Sequence, residues 1–290
     1  MATIGILGLG LIGGFAAEKY LAAGHRVLAV RRPSTEGLVA QGGELVATPR
    51  ELAAKSEMLI SVLPSDDAIR ASMYGPDGVA AGAHGGLVVV EMNTTSIETK
   101  AEEKAVIDRT PAIILDAPIS GTRPILAAGR GVIMTSGDAT AAERVRPLLE
   151  LVAPKTMYVG AYGTGIKLKM VINFLVGANT VAVAEAMAMG HAMGLTSQQL
   201  LDAVGPSAGG SVIFNLRAPT IAERKWQPTA GPSKLLYKDL DIIEKQADAL
   251  GLPAPFLRAA NKLYQRTATE GRLEDDVSVV YEFMAAKKKA

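Results

Sequence analysis

The stretch that decides the fold is Gly163–Gly194, GTGIKLKMVINFLVGANTVAVAEAMAMGHAMG. It contains no proline and reads as one helix of roughly eight turns. A helix this long without a polar face is expected to be buried on several sides, threading between a first domain, a second domain and another subunit. A membrane span is disfavoured, because Lys167 and Lys169 intrude and Asn173, Asn179, Glu185 and His191 recur through it. Lys169 and Asn173 are four apart and share a face, which continues with the small residues Gly177 and Thr180, while Lys167 points to the opposite side. Most helix lysines are solvated surface charges. Lys169, however, is flanked by Met170, Val171, Ile172, Phe174 and Leu175. Apolar burial lowers a lysine pKa toward the range where it exchanges a proton near neutral pH, with Asn173 beside it to hold a substrate oxygen.

On the N-terminal side of this helix, strands alternate with helices; on the C-terminal side everything reads helical. Thr3–Leu7 leads directly into GLGLIGG, Gly8–Gly14, and then into the helical pattern FAAEKYLAAG. A glycine loop between a first strand and a helix suits a dinucleotide. Gly8 permits the tight turn, Gly10 lets the backbone approach a pyrophosphate, and Gly13 lets helix and strand pack closely. Leu9, Leu11 and Ile12 complete the loop, and the helix N-terminus offers unsatisfied N–H groups to the phosphates. The second strand, Arg26–Val30, ends in Arg31, Arg32, Pro33 and Ser34. An acidic residue at that strand end would grip a ribose 2′-hydroxyl; two guanidiniums and a hydroxyl suit a 2′-phosphate instead, so NADP(H) is expected in preference to NAD(H).

Further apolar runs at Met58–Val62, Leu87–Glu91, Ala112–Leu115, Val132–Thr135 and Met157–Val159 predict a parallel, doubly wound sheet. Ligands in such sheets lie beyond the carboxyl ends of the strands. Leu63 and Pro64, the segment Met92–Ser96 containing Thr94, and Ala117–Thr122 are the expected walls. Ser120, Gly121 and Thr122 offer successive N–H groups and two hydroxyls to a small carboxylate; the alternative is a turn in which Ser120 or Thr122 caps the next helix. Beyond the long helix, helical segments are expected at Ser197–Val204, Ser211–Glu223, Pro232–Leu250, Pro253–Gly271 and Val277–Ala286. Leu235, Leu236, Leu240, Ile243 and Ala247 form an apolar stripe, with Lys238 and Asp239 beside it as a surface charge pair. The expected domains are 1–162, binding the nucleotide, and 163–290, all-helical, serving substrate and oligomerisation.

Composition narrows the function classes. The chain has 290 residues, half of them apolar, which is enough for two cores. Thirty basic and twenty-nine acidic residues are dispersed, leaving no electrostatic footprint for nucleic acid or a membrane surface. Cysteine is absent, and His25, His84 and His191 are too scattered to suggest a metal site. No secretory signal is read at the N-terminus, so a cytoplasmic protein is expected. The terminal KKKA reads as a solvated tail.

Taken together, five ordered motifs resemble those of the β-hydroxyacid dehydrogenase family, which includes 3-hydroxyisobutyrate dehydrogenase, tartronate semialdehyde reductase and the shorter relatives of 6-phosphogluconate dehydrogenase. They are GLGLIG at Gly8–Gly13, LP at Leu63–Pro64, NTTS at Asn93–Ser96, DAPISGT at Asp116–Thr122 and GTGIKLKMVIN at Gly163–Asn173, with KDL at Lys238–Leu240 in support. The resemblance implies a Rossmann-type domain followed by an all-α domain, hydride exchange between NADP(H) and a small 3-hydroxy acid or its semialdehyde, and a homodimer or tetramer. It implies Lys169 as acid/base, Asn173 as substrate-orienting partner, Ser120, Gly121 and Thr122 at the substrate carboxylate, Thr94 at the nicotinamide and Lys238 in the same cleft. Departures from the pattern are Ile172 in place of an asparagine, Ile125 and Leu126 in place of Gly-Ala, and Arg123, which adds a positive charge at the mouth. The rival readings are an imine reductase or reductive aminase on the same plan, against which Lys169 argues, and a non-catalytic NADPH-binding protein.

Overall fold

The computed structural model describes residues 1–229 and 231–284. Two compact units divide at Lys169 and Met170. The expected helix at Val277–Ala286 is described as a 3₁₀ segment over Val277–Phe283; its last residues and the terminal KKKA lie outside the described residues.

The first unit is built on β1 (Thr3–Leu7), β2 (Arg26–Val30), β3 (Glu44–Val46), β4 (Met58–Ser61), β5 (Val88–Glu91) and β6 (Ile113–Asp116), all parallel in the order β3-β2-β1-β4-β5-β6. These runs are rich in Val, Ile and Leu because both faces of a parallel sheet are covered. Alternate residues serve two cores. Ile4, Ile6, Val27, Met58, Ile60 and Val88 pack with Phe15, Ala16 and Tyr20 of α1 (Leu11–Ala22). Leu7, Leu28, Leu59 and Val89 join Leu52 and Ala53 of α3 (Pro49–Lys55), which follows α2 (Gly37–Ala40), and Ile69 and Met73 of α4 (Asp66–Met73). The sheet is therefore doubly wound, as the alternation of apolar runs predicted.

Two features differ from the sequence reading. The three-residue β3 at the sheet edge is too short, and opens on too polar a residue, to stand out as an apolar run. In addition, Val132–Thr135 and the last run do not extend the parallel sheet. After α5 (Val79–Gly82) and α6 (Ile97–Ile107), the chain turns at Pro118 so that β7 (Ile119–Ser120) pairs antiparallel with β8 (Val132–Thr135), which pairs parallel with β9 (Lys155–Tyr158). An isolated bridge between Asp116 and Ser136 joins this small sheet to β6. Between these strands lie α7 (Arg123–Ala127) and α8 (Ala139–Val152).

The long helix, α9, runs from Thr164 to Ala192. Its first turn belongs to the nucleotide-binding unit, because the Ile166 N–H donates to Asp116 Oδ2 at 2.8 Å and the Gly165 N–H to Ser136 Oγ at 3.1 Å. That anchoring sets the compact-unit boundary inside the helix rather than before it. By length and hydropathy α9 could cross a membrane, but Asn173 and Thr180 on it are buried within the protein, and Asn173 is satisfied by a side-chain partner. Burial is confined to one side: Val171, Leu175 and Met189 are 57, 49 and 60 % exposed. The side left exposed is the one to which the expected burial against another subunit applies.

In the second unit α10 (Ser197–Val204), α11 (Val212–Glu223), α12 (Ser233–Ala249) and α13 (Pro255–Thr269) follow α9. Of the stripe predicted on α12, Leu236, Leu240, Ile243 and Ala247 are buried, but Leu235 is exposed. A Cβ at Gly177 would come within 2.8 Å of the tip of the Leu240 side chain, so α9 packs closely on α12 at this glycine.

Candidate active site

The glycine loop sits between β1 and α1. Gly8 adopts a φ of +93°, and a Cβ there would come within 2.0 Å of the Val62 carbonyl oxygen. A Cβ on Gly13 would lie 1.9 Å from the Gly8 carbonyl oxygen. Both positions are closed by backbone, so no side chain can yield. Gly10 differs: nothing lies within 4 Å of its Cβ direction, and it stands at the N-cap of α1 without a side-chain capping bond. The first N–H groups of α1 are thus left to an external acceptor, the condition under which a helix N-terminus receives phosphate. Leu9, Gly10, Leu11, Gly14, Ser34 and Arg123 are among the residues lining a cavity of about 510 Å³ beside the loop. Ile12, half-buried, packs against the core beneath.

Beyond β2, Arg31 and Arg32 are exposed, and Ser34 lies in the 3₁₀ turn Pro33–Thr35. The Arg31 guanidinium pairs with Glu36 at 3.2 Å and the Arg32 N–H donates to Thr35 Oγ1 at 2.8 Å, which fixes the turn. Leu63 and Pro64 follow β4, and Thr94 follows β5; Leu63 and Thr94 are half-buried and Pro64 is exposed. The Leu63 N–H donates to Asn93 Oδ1 at 2.6 Å.

Ser120 closes β7, and Gly121, with φ +143°, turns the chain into Thr122, the N-cap of α7. The Thr122 side chain makes no capping bond. The positive charge expected at the mouth is paired with α1. The Arg123 guanidinium donates to both carboxylate oxygens of Glu18 at 2.9 Å and lies over the Phe15 ring, so α1 neutralises it.

Lys169 is half-buried on α9, one turn beyond the Ile166 amide held by Asp116 at the end of β6. In the second unit the buried Asn173 donates from Nδ2 to Asp239 Oδ2 at 2.6 Å, and Lys238 Nζ lies 2.9 Å from Asp239 Oδ1. Asp239 is 9 % exposed. It is therefore not half of a surface charge pair, as its sequence suggested, but the carboxylate joining two predicted substrate residues. Its adjacency to Lys238 in KDL was the available signal; that it turns inward depends on which face of α12 meets α9.

Sequence reasoning also passed over a buried charge cluster. Glu91 and Asp116 are register partners at the carboxyl ends of β5 and β6. Lys100 of α6 ion-pairs with both, at 3.0 Å to Asp116 Oδ1, and all three are at most 1 % exposed. Glu103, one turn from Lys100, is fully buried, and neither of its oxygens has a hydrogen-bond partner among the described residues. Desolvation pushes its carboxyl up to about 7, although the Lys100 ammonium pulls the other way.

An open parallel sheet with a glycine loop and an uncapped first helix suits a dinucleotide, and comparison with known proteins makes this a pyridine-nucleotide-binding oxidoreductase. Residues 3–160 match the model of the NAD-binding domain of 6-phosphogluconate dehydrogenase, and residues 163–284 that of the NAD-binding domain of NADP-dependent 3-hydroxyisobutyrate dehydrogenase. The chain belongs to the β-hydroxyacid dehydrogenase family. It is 30 % identical to L-threonate dehydrogenase of Cupriavidus necator, over 96 % of this chain and 94 % of that one. With glyoxylate/succinic semialdehyde reductase 2 of Arabidopsis thaliana it shares 27 % identity over 99 % of this chain and 80 % of the relative. The structure of Mycobacterium tuberculosis 3-hydroxyisobutyrate dehydrogenase with L-serine superposes with a TM-score of 0.87, at 27 % identity, covering 99 % of this chain and 100 % of the other. The chain spans about half the length of several longer relatives that it matches.

Proposed function

We propose that the protein exchanges a hydride between NADP(H) and the hydroxyl-bearing carbon of a small 3-hydroxy acid, interconverting it with a semialdehyde or ketone. The observation that carries this reading is the anchoring of α9. Asp116 at the carboxyl end of β6 holds the helix start, and Lys169 follows one turn later, where open parallel sheets bind ligands. The residues present fit the nucleotide: Gly10 is open, and α1 lacks its own cap. When bound, the nicotinamide supplies or accepts the hydride. Lys169 takes the hydroxyl proton in oxidation and returns it in reduction, while Asn173, oriented by Asp239, holds the oxygen. Ser120, Gly121 and Thr122 hold the substrate carboxylate, Thr94, Leu63 and Pro64 wall the nicotinamide end, and Lys238 completes the substrate contacts. Arg31, Arg32 and Ser34 receive the 2′-phosphate, which sets the preference for NADP(H). The roles divide as nucleotide binding in 1–162 and substrate and assembly in 163–290, with the first turn of α9 anchored on the nucleotide-binding unit.

Relatives named for L-threonate, for glyoxylate and succinic semialdehyde, and for 3-hydroxyisobutyrate support a small acid as substrate. The exposed apolar side of α9 supports a homodimer or tetramer built on that helix, and a cytoplasmic location is proposed with it. The test is Lys169→Ala assayed with a panel of 3-hydroxy acids and semialdehydes and both cofactors. Turnover is expected to fall by roughly two to four orders of magnitude with cofactor affinity retained. Near-normal turnover removes the lysine from the chemistry, and tighter NAD(H) binding removes the cofactor preference.

A further inference from the structure

Of the buried cluster beneath the strand ends only Asp116 has entered the reading so far, yet the cluster's bonds lead to both sides of the proposed cleft. Lys100 pairs with Glu91 and Asp116 and lies 3.4 Å from the Glu91 carbonyl oxygen. On one side, Glu91 Oε1 accepts from the Asn93 backbone N–H at 3.0 Å and from Asn93 Nδ2. Asn93 in turn donates to Ser61 Oγ at 3.1 Å and accepts the Leu63 N–H. On the other side, Asp116 Oδ2 accepts from Ile166 N–H and from Ser136 Oγ, and Ser136 Oγ accepts from Gly165 N–H. Tyr162, just before α9, donates from its hydroxyl to the Lys100 carbonyl oxygen at 3.2 Å.

A single ammonium therefore sits between two carboxylates, one bracing the Leu63 wall and the other bracing the first turn of the helix that carries Lys169. Two carboxylates on adjacent strand ends repel one another in a medium of low dielectric, and their orientation is fixed only while a cation lies between them. We propose that Lys100 is a positioning residue of the hydride-transfer site, setting Leu63 through Glu91 and Asn93, and Lys169 through Asp116 and the first turn of α9. This rests on the hydride-transfer reading above. Misplacement of reacting groups by about an ångström lowers turnover by about a hundredfold, so the effect belongs in kcat rather than in binding.

Lys100→Met alone leaves two unpaired buried charges and is a poor test of position. The informative variant is the neutral triple Glu91→Gln, Lys100→Met, Asp116→Asn, shown to be folded by cooperative thermal unfolding. It is assayed for kcat, substrate KM and NADPH dissociation constant, and followed by amide hydrogen exchange. The expected result is a kcat lowered about 10- to 100-fold, with KM and NADPH affinity within about threefold of the parent, and faster exchange at Leu63, Gly165 and Ile166 while the central strands keep their protection. Unchanged kcat and exchange overturn the proposal. So does lost turnover without faster exchange at those amides, or a loss of NADPH affinity as large as the loss of kcat, which would mark a merely structural role. If the parent protein binds NADPH but turns over no member of the hydroxy-acid panel, the functional reading fails by itself. The exchange at Leu63, Gly165 and Ile166 then decides whether Lys100 couples the two walls.

Discussion

The glycine loop and the Lys100 cluster lie in the same unit and are held by opposite physics. At Gly8 and Gly13 the backbone is so close that no Cβ fits, and precision comes from the absence of atoms. At Glu91, Lys100 and Asp116 precision comes from charges that would be costly if any one were removed. The first arrangement is local in sequence and steric. The second is assembled from distant positions and is electrostatic, so the two should fail differently when perturbed.

The largest effect is expected at the charge cluster. Lys100→Met should destabilise the protein by roughly 3–5 kcal/mol, read from denaturant unfolding, because it abandons a buried pair of carboxylates. A loss below about 1 kcal/mol would mean that solvent reaches the cluster. Next is the steric site: Gly13→Ala forces its methyl against the Gly8 carbonyl and should cost about 1–3 kcal/mol together with weakened NADPH binding. Retained affinity and stability would show that the loop can spread.

Glu103 sharpens the electrostatic half of the comparison. Its folded-state carboxyl keeps a proton up to about 7, against an ordinary value of 4.5. The corresponding stability is complete below the unfolded value and is lost as pH rises through 7. Glu103→Gln should therefore stabilise the protein at pH 8 relative to the parent by roughly 2–3 kcal/mol more than it does at pH 4. Equal differences at the two pH values would rule out the shift. The smallest effect belongs to the exposed Arg123–Glu18 pair, where Glu18→Gln should change stability by less than about 1 kcal/mol. A larger loss would mean that the pair braces α7 against α1.

The same contrast explains what the chain disclosed before its fold was known. GLGLIGG was legible because its spacing, strand and helix are contiguous, and the long helix because α9 has no breaker over 29 residues. The second sheet was hidden because Ile119–Ser120 is two residues long and its antiparallel partner is fixed only by the turn at Pro118. Glu91, Lys100 and Glu103 stand outside every quoted motif, and Asp116 only opens DAPISGT; they meet because β5 and β6 pair in a particular register, which no local pattern encodes. Asp239 stood in plain view within KDL, but only the packing of α12 on α9 turns it inward beside Asn173.

The joint between the two units also carries a lesson for anyone wishing to recombine them. A fragment severed at Tyr162 would strip away the Gly165 and Ile166 amides, orphaning acceptors on Asp116 and Ser136 that are shut off from water. A graft intended to lend this nucleotide-binding half a new helical half should splice after Lys169, within the rod itself, so that the proposed proton carrier travels with the cofactor module and only its companions are exchanged.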